Sequence, residues 1–375
     1  MSLQEINILL KNYFIECGFN YVELPLVYDS DIFYETSGEE IRKKMFSFID
    51  ETGKEKCLRP DLTVPTCQSF IRNQSDNDSA KLCYSGPIFR SSDSLEEHSL
   101  ELNQSGVEII FSENSLKNRF DKDVEALKLA TNTLDNLNIS KYKIKIGSLM
   151  FFHTFIYYLE LPIRWKQRLL KHFFRRSYFE SLLERINRGV GYDDQKKKVI
   201  MEEKFGSDNL ENQTLIEVLQ GKEVVNLGSR SAEEIAERFS QKSENIVSQD
   251  DGRRIVKLIR NFLRLNGQLS KFPELLKKFT IDSKVNFFDE AIQIMEEFVD
   301  MVSSKIDSTN IYFNNDFGHS IEFYDGIMFE IFDSSGKHKL LSGGRYDQLL
   351  KSLGSNKELS AIGFATNNNE IEKIL

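Results

Sequence analysis

The chain has 375 residues, 40% hydrophobic and 29% charged, with a net charge of −9 at pH 7 and a pI of about 5.4. That length allows a large core and two domains. No apolar run approaches the ~20 residues of a membrane span, and the acidic balance argues against nucleic-acid binding through a broad basic surface.

The start, MSLQEINILL, has neither a basic flank nor a cleavage-like site, so a cytoplasmic protein is expected. Cys17, Cys57, Cys67 and Cys83 show no CxxC spacing and read as reduced core thiols. The five histidines are scattered, so no metal site is expected.

Residues 3–17 read as an amphipathic helix, with Ile6, Leu9, Leu10, Tyr13 and Phe14 at helical spacing. Gly18 sits where a C-cap glycine belongs. FNYVELPLVYDSDIF follows, its strand-like half ending at Pro25, which cannot donate a ladder hydrogen bond. In MFSFIDETGKEKCLRPDLTVPT, two strands around Phe48 and Cys57 join through the turn Glu51-Thr52-Gly53. Asp61 and Thr63 are two apart and point the same way if the segment is extended. A carboxylate beside a hydroxyl suits an ammonium group. The alternative is that Asp61 caps a helix beginning near Pro65.

Lys81 to Ile110 reads as a hairpin: KLCYSGPIFR, a polar loop SSDSLEEHS, then LELNQSGVEII. Alternation puts Leu102, Gln104, Gly106 and Glu108 on one face of the second strand, and Ser105, Val107 and Ile109 on the other. Gln104 and Glu108 make a polar floor, and Gly106 is expected to let a ligand approach the backbone. Arg90 closes the first strand, in a position from which it could face an anion across the hairpin. The alternative is an ordinary half-solvated hairpin.

Asp121–Leu137 is a predicted helix and Lys141–Gly147 a predicted strand. From Leu149 to Phe279 the pattern is helical. Leu169, Leu170, Phe173, Phe174, Leu182, Leu183 and Ile186 form an apolar stripe there. Lys166, Arg168, Lys171, Arg175 and Arg176 cover the rest, either gripping phosphate or RNA or forming the wet face of an amphipathic helix. Gly189–Ser248 is polar and broken by glycines. Phe287–Ile306 is a predicted helix and Ile311–Phe313 starts a strand run. HSIEFYDGIMFEIFD alternates through Ile321, Phe323 and Asp325, then turns apolar from Ile327 to Phe332. LLSGGRYDQLLKSLG reads as strand–turn–helix with Asp347 in the first turn, and Gly343 and Gly344 permit close backbone approach.

Several of these segments resemble the class II aminoacyl-tRNA synthetases, most closely the histidyl enzymes. The helix and strand ending at Pro25 resemble their motif 1, which builds a dimer interface. Gly86-Pro87-Ile88-Phe89-Arg90 and Gln104-Ser105-Gly106-Val107-Glu108 resemble motif 2. The run from Phe48 to Thr63 resembles the segment whose acidic residue and threonine hold the amino group of histidine, with Asp61 in place of Glu. Phe323-Tyr324-Asp325-Gly326 matches the family's Tyr-Tyr-Thr-Gly, and Tyr346 falls where a second imidazole-facing tyrosine belongs. The end, SAIGFATNNNEIEKIL, resembles the start of motif 3. The resemblance implies an α+β fold: a class II synthetase-like antiparallel sheet flanked by helices, with a helical insertion. It divides the chain into core residues 1–159, an insertion over 160–270, and core residues 271–375. It also implies histidine binding by Asp61, Thr63, Arg90, Gln104, Glu108, Tyr324 and Tyr346.

The departures are equally informative. His319 stands where the family has a catalytic arginine, Glu370 where its ATP-facing motif 3 arginine belongs, and Ser92 where a Glu contacts adenine. Glu97 and His98 replace a glycine–arginine pair in the motif 2 loop. With the sequence ending a few residues after motif 3, no anticodon-binding domain is expected. Adenylate formation needs cations around a pentavalent phosphate, and a Glu in place of Arg reverses that stabilisation. The pattern resembles the family of ATP phosphoribosyltransferase regulatory subunits. That resemblance implies no catalytic residues and no cofactor. Its partner would be the short-form catalytic subunit, in a hetero-octamer built on dimers, with L-histidine as feedback effector. The alternative is a degenerate histidine-activating enzyme.

Overall fold

The protein is described here as a computed structural model covering residues 1–37, 39–73, 79–91, 100–112, 116–189, 247–284, 289–317 and 323–375. It forms two compact units, one of Met1–Phe152 with Leu263–Leu375 and the other of His153–Phe262.

The first unit begins with α1 (Leu3–Glu16). Ser2 and Glu5 form a capping box that satisfies backbone N–H groups at its start. Ile6, Leu10 and Phe14 recur at helical spacing and are fully buried. Gly18, at φ +87°, closes the helix: its N–H donates to Ile15 O at 2.9 Å and that of Phe19 to Phe14 O at 3.1 Å. Then come β1 (Asn20–Tyr21), β2 (Val27–Asp29), α2 (Asp31–Thr36), α3 (Glu39–Lys43), β3 (Ser47–Ile49), β4 (Glu55–Leu58) and α4 (Thr63–Arg72). The strands on either side of Pro25 are short, two and three residues, and lie in different sheets. The turn between β3 and β4 has Gly53 at φ +81°, with Asp50 accepting from the N–H groups of Thr52 and Lys54.

The hairpin strands are β5 (Ala80–Phe89) and β6 (Glu101–Phe111), followed by α5 (Leu116–Asn136), β7 (Tyr142–Ser148) and α6 (Leu149–Tyr158). The second unit carries α7 (Ile163–Lys171), α8 (Arg176–Asn187) and α9 (Gln249–Leu263). The first unit resumes with β8 (Asn266–Gln268), α10 (Phe272–Ser283), α11 (Asp289–Lys305), β9 (Ile311–Asn314), β10 (Ile327–Asp333), β11 (Lys339–Arg345), α12 (Asp347–Ser352), β12 (Ser360–Asn367) and α13 (Asn368–Ile374). Asn266-Gly267-Gln268 is a polar edge strand inside a stretch expected to be helical, and three polar residues carry no period to betray it.

Nine strands form one sheet in the order β1-β5-β6-β12-β11-β10-β7-β9-β8, and β2-β4-β3 form a second, small sheet. Six of the eight pairings in the large sheet are antiparallel; β1 with β5 and β7 with β9 are parallel. The sheet is therefore mixed rather than purely antiparallel. Both parallel pairs are joined by long connections, as parallel pairing requires. Burial of apolar side chains on the sheet supplies the core: Phe14 meets Phe364 edge-on at 5.9 Å, and Phe120 of α5 lies 5.5 Å from Phe298 of α11.

In the second unit Phe155 stacks on Phe262 at 4.1 Å, and Arg168 and Arg185 lie over the Trp165 ring. Arg260 bridges Glu180 and Glu184. Lys166 Nζ donates to Tyr157 O and Arg168 Nη2 to the Tyr178 hydroxyl. These ties hold two of the five cations along the helices, as in a wet helical face. Among the described residues no helix is long and apolar enough to cross a membrane.

Candidate functional site

The first unit contains a cavity of about 180 Å³ lined by Asp61, Thr63, Arg90, Gln104, Glu108, Tyr324 and Tyr346, together with Phe323, Lys339, Ser342 and Asn367. All seven residues singled out from the sequence therefore face one space. Period-two alternation brings Gln104 and Glu108 to the same face of β6. The start of α4 carries Asp61 and Thr63, the end of β5 carries Arg90, and the links before β10 and α12 carry Tyr324 and Tyr346.

Glu108 is fully buried at the centre of this wall. Its Oε1 accepts from the Tyr84 hydroxyl at 3.0 Å, and its Oε2 accepts from the Tyr346 hydroxyl. Tyr84 in turn lies 3.2 Å from Thr63 Oγ1. Burial pushes Glu108 up to about 7, opposed by the hydrogen bonds of Tyr346, Thr63 and Tyr84. Burial also raises both phenols, which keeps them donors. Because β6 runs between β5 and β12, it is buried from Ser105 onward on both faces, so this strand of the hairpin is not half-solvated there.

Asp61 serves two readings at once. Its Oδ1 accepts from the Val64 N–H at 2.9 Å and so caps α4. Its Oδ2 is buried and has no partner among the described residues, and the same holds for Gln104 Oε1. Two buried acceptors without donors on one cavity wall call for a donor-rich guest such as an ammonium group. Burial raises the Asp61 carboxyl above its ordinary range, opposed by the Val64 N–H and the Arg90 charge. Arg90 is held by its Nε, which donates to Pro60 O at 2.6 Å.

Phe323, Tyr324 and Tyr346 form an aromatic wall, with centroids 5.0 to 6.5 Å apart in tilted and edge-on pairs. Asp325 ties the two tyrosine segments together: its oxygens accept from the N–H groups of Asp347 at 3.1 Å and Gln348 at 2.7 Å. Beside it, Arg345 pairs with Asp123 and Asp347.

Two positions behave differently from expectation. Gly106 does not admit a ligand: a Cβ there would press on the Phe364 carbonyl of β12 and lie 2.5 Å from the Tyr84 hydroxyl, so the glycine makes room for the neighbouring strand and for that phenol. Glu370 does not line the cavity; it is bound by His338 Nδ1 at 2.6 Å and Lys373 Nζ at 2.5 Å. His319, Ser92, Glu97 and His98 lie outside the described residues. Sequence reasoning missed Tyr84 and Arg59. Arg59 donates to the carbonyls of Leu24, Pro25 and Pro87, fastening the segment before β2 to the hairpin. The only sequence signal for Tyr84 was a glycine directly across the hairpin, at Gly106.

The family model described as histidyl-tRNA synthetase matches residues 2–201 and 197–371. The chain belongs to this family. Within it, the chain is similar to the ATP phosphoribosyltransferase regulatory subunit of Sinorhizobium fredii, at 26% identity over 94% of this chain and 92% of the relative. The regulatory subunit of Brucella ovis is 25% identical over 92% and 90% of the two chains. Among solved structures, an ATP phosphoribosyltransferase regulatory subunit/histidyl-tRNA synthetase from Bacillus halodurans superposes with a TM-score of 0.65 at 17% identity, covering 100% of this chain and 79% of that one. Histidyl-tRNA synthetase from Nostoc gives 0.59 at 13% identity, covering 100% and 71%. These structural likenesses establish the class II synthetase fold.

Proposed function

We propose that this chain is the non-catalytic regulatory subunit of an ATP phosphoribosyltransferase in histidine biosynthesis. It activates a short-form catalytic chain in a cytoplasmic hetero-octamer and confers feedback inhibition by L-histidine. The observation that carries the reading is the cavity: it presents an amino-acid-sized set of polar groups, with Asp61 Oδ2 and Gln104 Oε1 awaiting donors. The names of the similar relatives point the same way. The family's phosphate-facing arginine is Glu370 here, a carboxylate neutralised by Lys373. A carboxylate at this position cannot supply the fixed positive charge that a pentavalent phosphate needs.

Asp61, Thr63 and Gln104 would take the amino group, Arg90 the carboxylate, and Glu108, Tyr324 and Tyr346 the imidazole. Feedback then follows from linkage: histidine must bind one state of the complex better than another. The test is phosphoribosyl-ATP formation by a short-form catalytic chain, with and without this protein, across a histidine titration. We expect a higher rate with the protein, reversed by histidine. Histidine-dependent ATP–pyrophosphate exchange by this chain alone would overturn the proposal in favour of a histidine-activating enzyme.

A further inference from the structure

Both oxygens of Glu108 are claimed by phenols while the carboxylate still faces the cavity. Tyr346 lines that space; Tyr84 does not. Tyr84 comes from β5, directly across from Gly106 of β6, and its hydroxyl fills the place where a Cβ of residue 106 would be. It is 1% exposed and shielded from any guest. Its hydroxyl spans two ligand-facing groups, Thr63 at 3.2 Å and Glu108 at 3.0 Å.

We propose that Tyr84 is a positioning residue, whose hydroxyl holds the Glu108 carboxylate ionised and aimed at the ligand and so acts on ligand affinity through Glu108. This rests on reading the cavity as a site for L-histidine. A phenol can donate to a carboxylate but gains little from a neutral carboxyl, so its hydrogen bond favours the ionised form. Glu108 sits at about 7, so small changes in its surroundings alter its charge at neutral pH. The other groups facing it are Asp61 and Cys67 from the α4 segment, Tyr324 from the link before β10, and Tyr346 from the link before α12; Gly363 of β12 brings no charge.

The experiment compares wild type, Tyr84→Phe, Glu108→Gln and the double variant by calorimetric titration with L-histidine from pH 6 to 8.5. Removing one donor to a buried carboxylate moves its titration up by about one pH unit. Tyr84→Phe is therefore expected to bind histidine about five-fold more weakly at pH 7 and within two-fold of wild type at pH 8.5. Titration of free histidine itself is common to both proteins and cancels in the ratio. In the Glu108→Gln background, the change at position 84 is expected to have no pH-dependent effect. A loss that is constant across pH, or no loss at all, would overturn the proposal and leave Tyr84 as mere packing.

Thermal unfolding without ligand separates the two claims. The gap in Tm between wild type and Tyr84→Phe is expected to widen from pH 6 to 8, and to stop doing so with Glu108→Gln. If that widening appears while wild type binds no histidine at any pH, the histidine reading fails and the hold of Tyr84 on Glu108 stands. If it is absent, the proposal fails whether or not histidine binds.

Discussion

Arg345 Nη2 lies 2.7 Å from Asp123 Oδ1, in an ion pair whose side chains are 6% and 2% exposed. The same guanidinium reaches the Arg119 carbonyl at 2.8 Å and Asp347 at 3.3 Å. It thereby joins α5 to the turn that carries Tyr346. Replacing Arg345 with Met strands a buried carboxyl and is expected to destabilise the protein by about 3–5 kcal/mol. Asp123→Asn, which keeps the shape, should cost less. Urea unfolding of both variants checks the order, and a loss for Asp123→Asn as large as that for Arg345→Met would overturn it.

The pH dependence of stability should run against the usual acid sensitivity. Burial raises Asp123 and Asp325 to about 6 and Glu108 to about 7. A carboxyl raised in the folded state contributes stability that is complete below its unfolded value and is lost as pH rises through its folded value. Between pH 5 and 8 these three groups should therefore lower the Tm as pH rises, by roughly 5 °C. Asp29 and Asp50 are held below the ordinary range by hydrogen bonds from Lys56 and Thr52. They act in the opposite sense, but only below about pH 4. Scanning calorimetry across this range tests the slope, and Asp123→Asn with Glu108→Gln should flatten it.

Asp61→Asn separates a helix cap from a charge. An amide oxygen still accepts from the Val64 N–H, so the loss in stability should stay within about 1 kcal/mol. The charge facing the cavity is gone, and L-histidine affinity should fall about ten-fold or more. Calorimetric titration paired with a thermal melt reads both effects. Unchanged affinity would remove Asp61 from the ligand set.

Gly363→Ala probes the tightest contact in the site. A Cβ there would lie 1.8 Å from Glu108 Oε2 and 2.3 Å from Val107 O. The Val107 carbonyl forces the β6–β12 ladder to give locally, and Glu108 must also swing away from Tyr346. Loss of at least ten-fold in histidine affinity is expected, with the sheet retained by circular dichroism. A protein that binds as wild type would mean the Glu108 contacts are not needed.

Much of this was legible from short-range periodicity. The alternation of LELNQSGVEII places Gln104 and Glu108 together, and the helical spacing of Ile6, Leu10 and Phe14 marks the buried side of α1. Residues whose role depends on register across strands were not legible. Tyr84 matters because it opposes Gly106, and nothing local to KLCYSGPIFR says which residue lies opposite. The same blindness made Gly106 look like a ligand approach. Arg59 was visible only as one letter of a motif, because its three carbonyl partners lie 28 to 35 residues away. Glu370 read from the sequence as a missing cation, with no sign of its partner His338, which sits 32 residues earlier.

The divided carboxylate of Asp61 makes the first turn of α4 a listener. One oxygen steadies the helix through Val64 while the other waits in the cavity. Whatever arrives to satisfy the second oxygen draws on the same group that secures the helix. A guest pairing with the second oxygen would therefore pull on a side chain already tied to the first turn of α4, so the mobility of α4 is where occupancy of the cavity should be looked for.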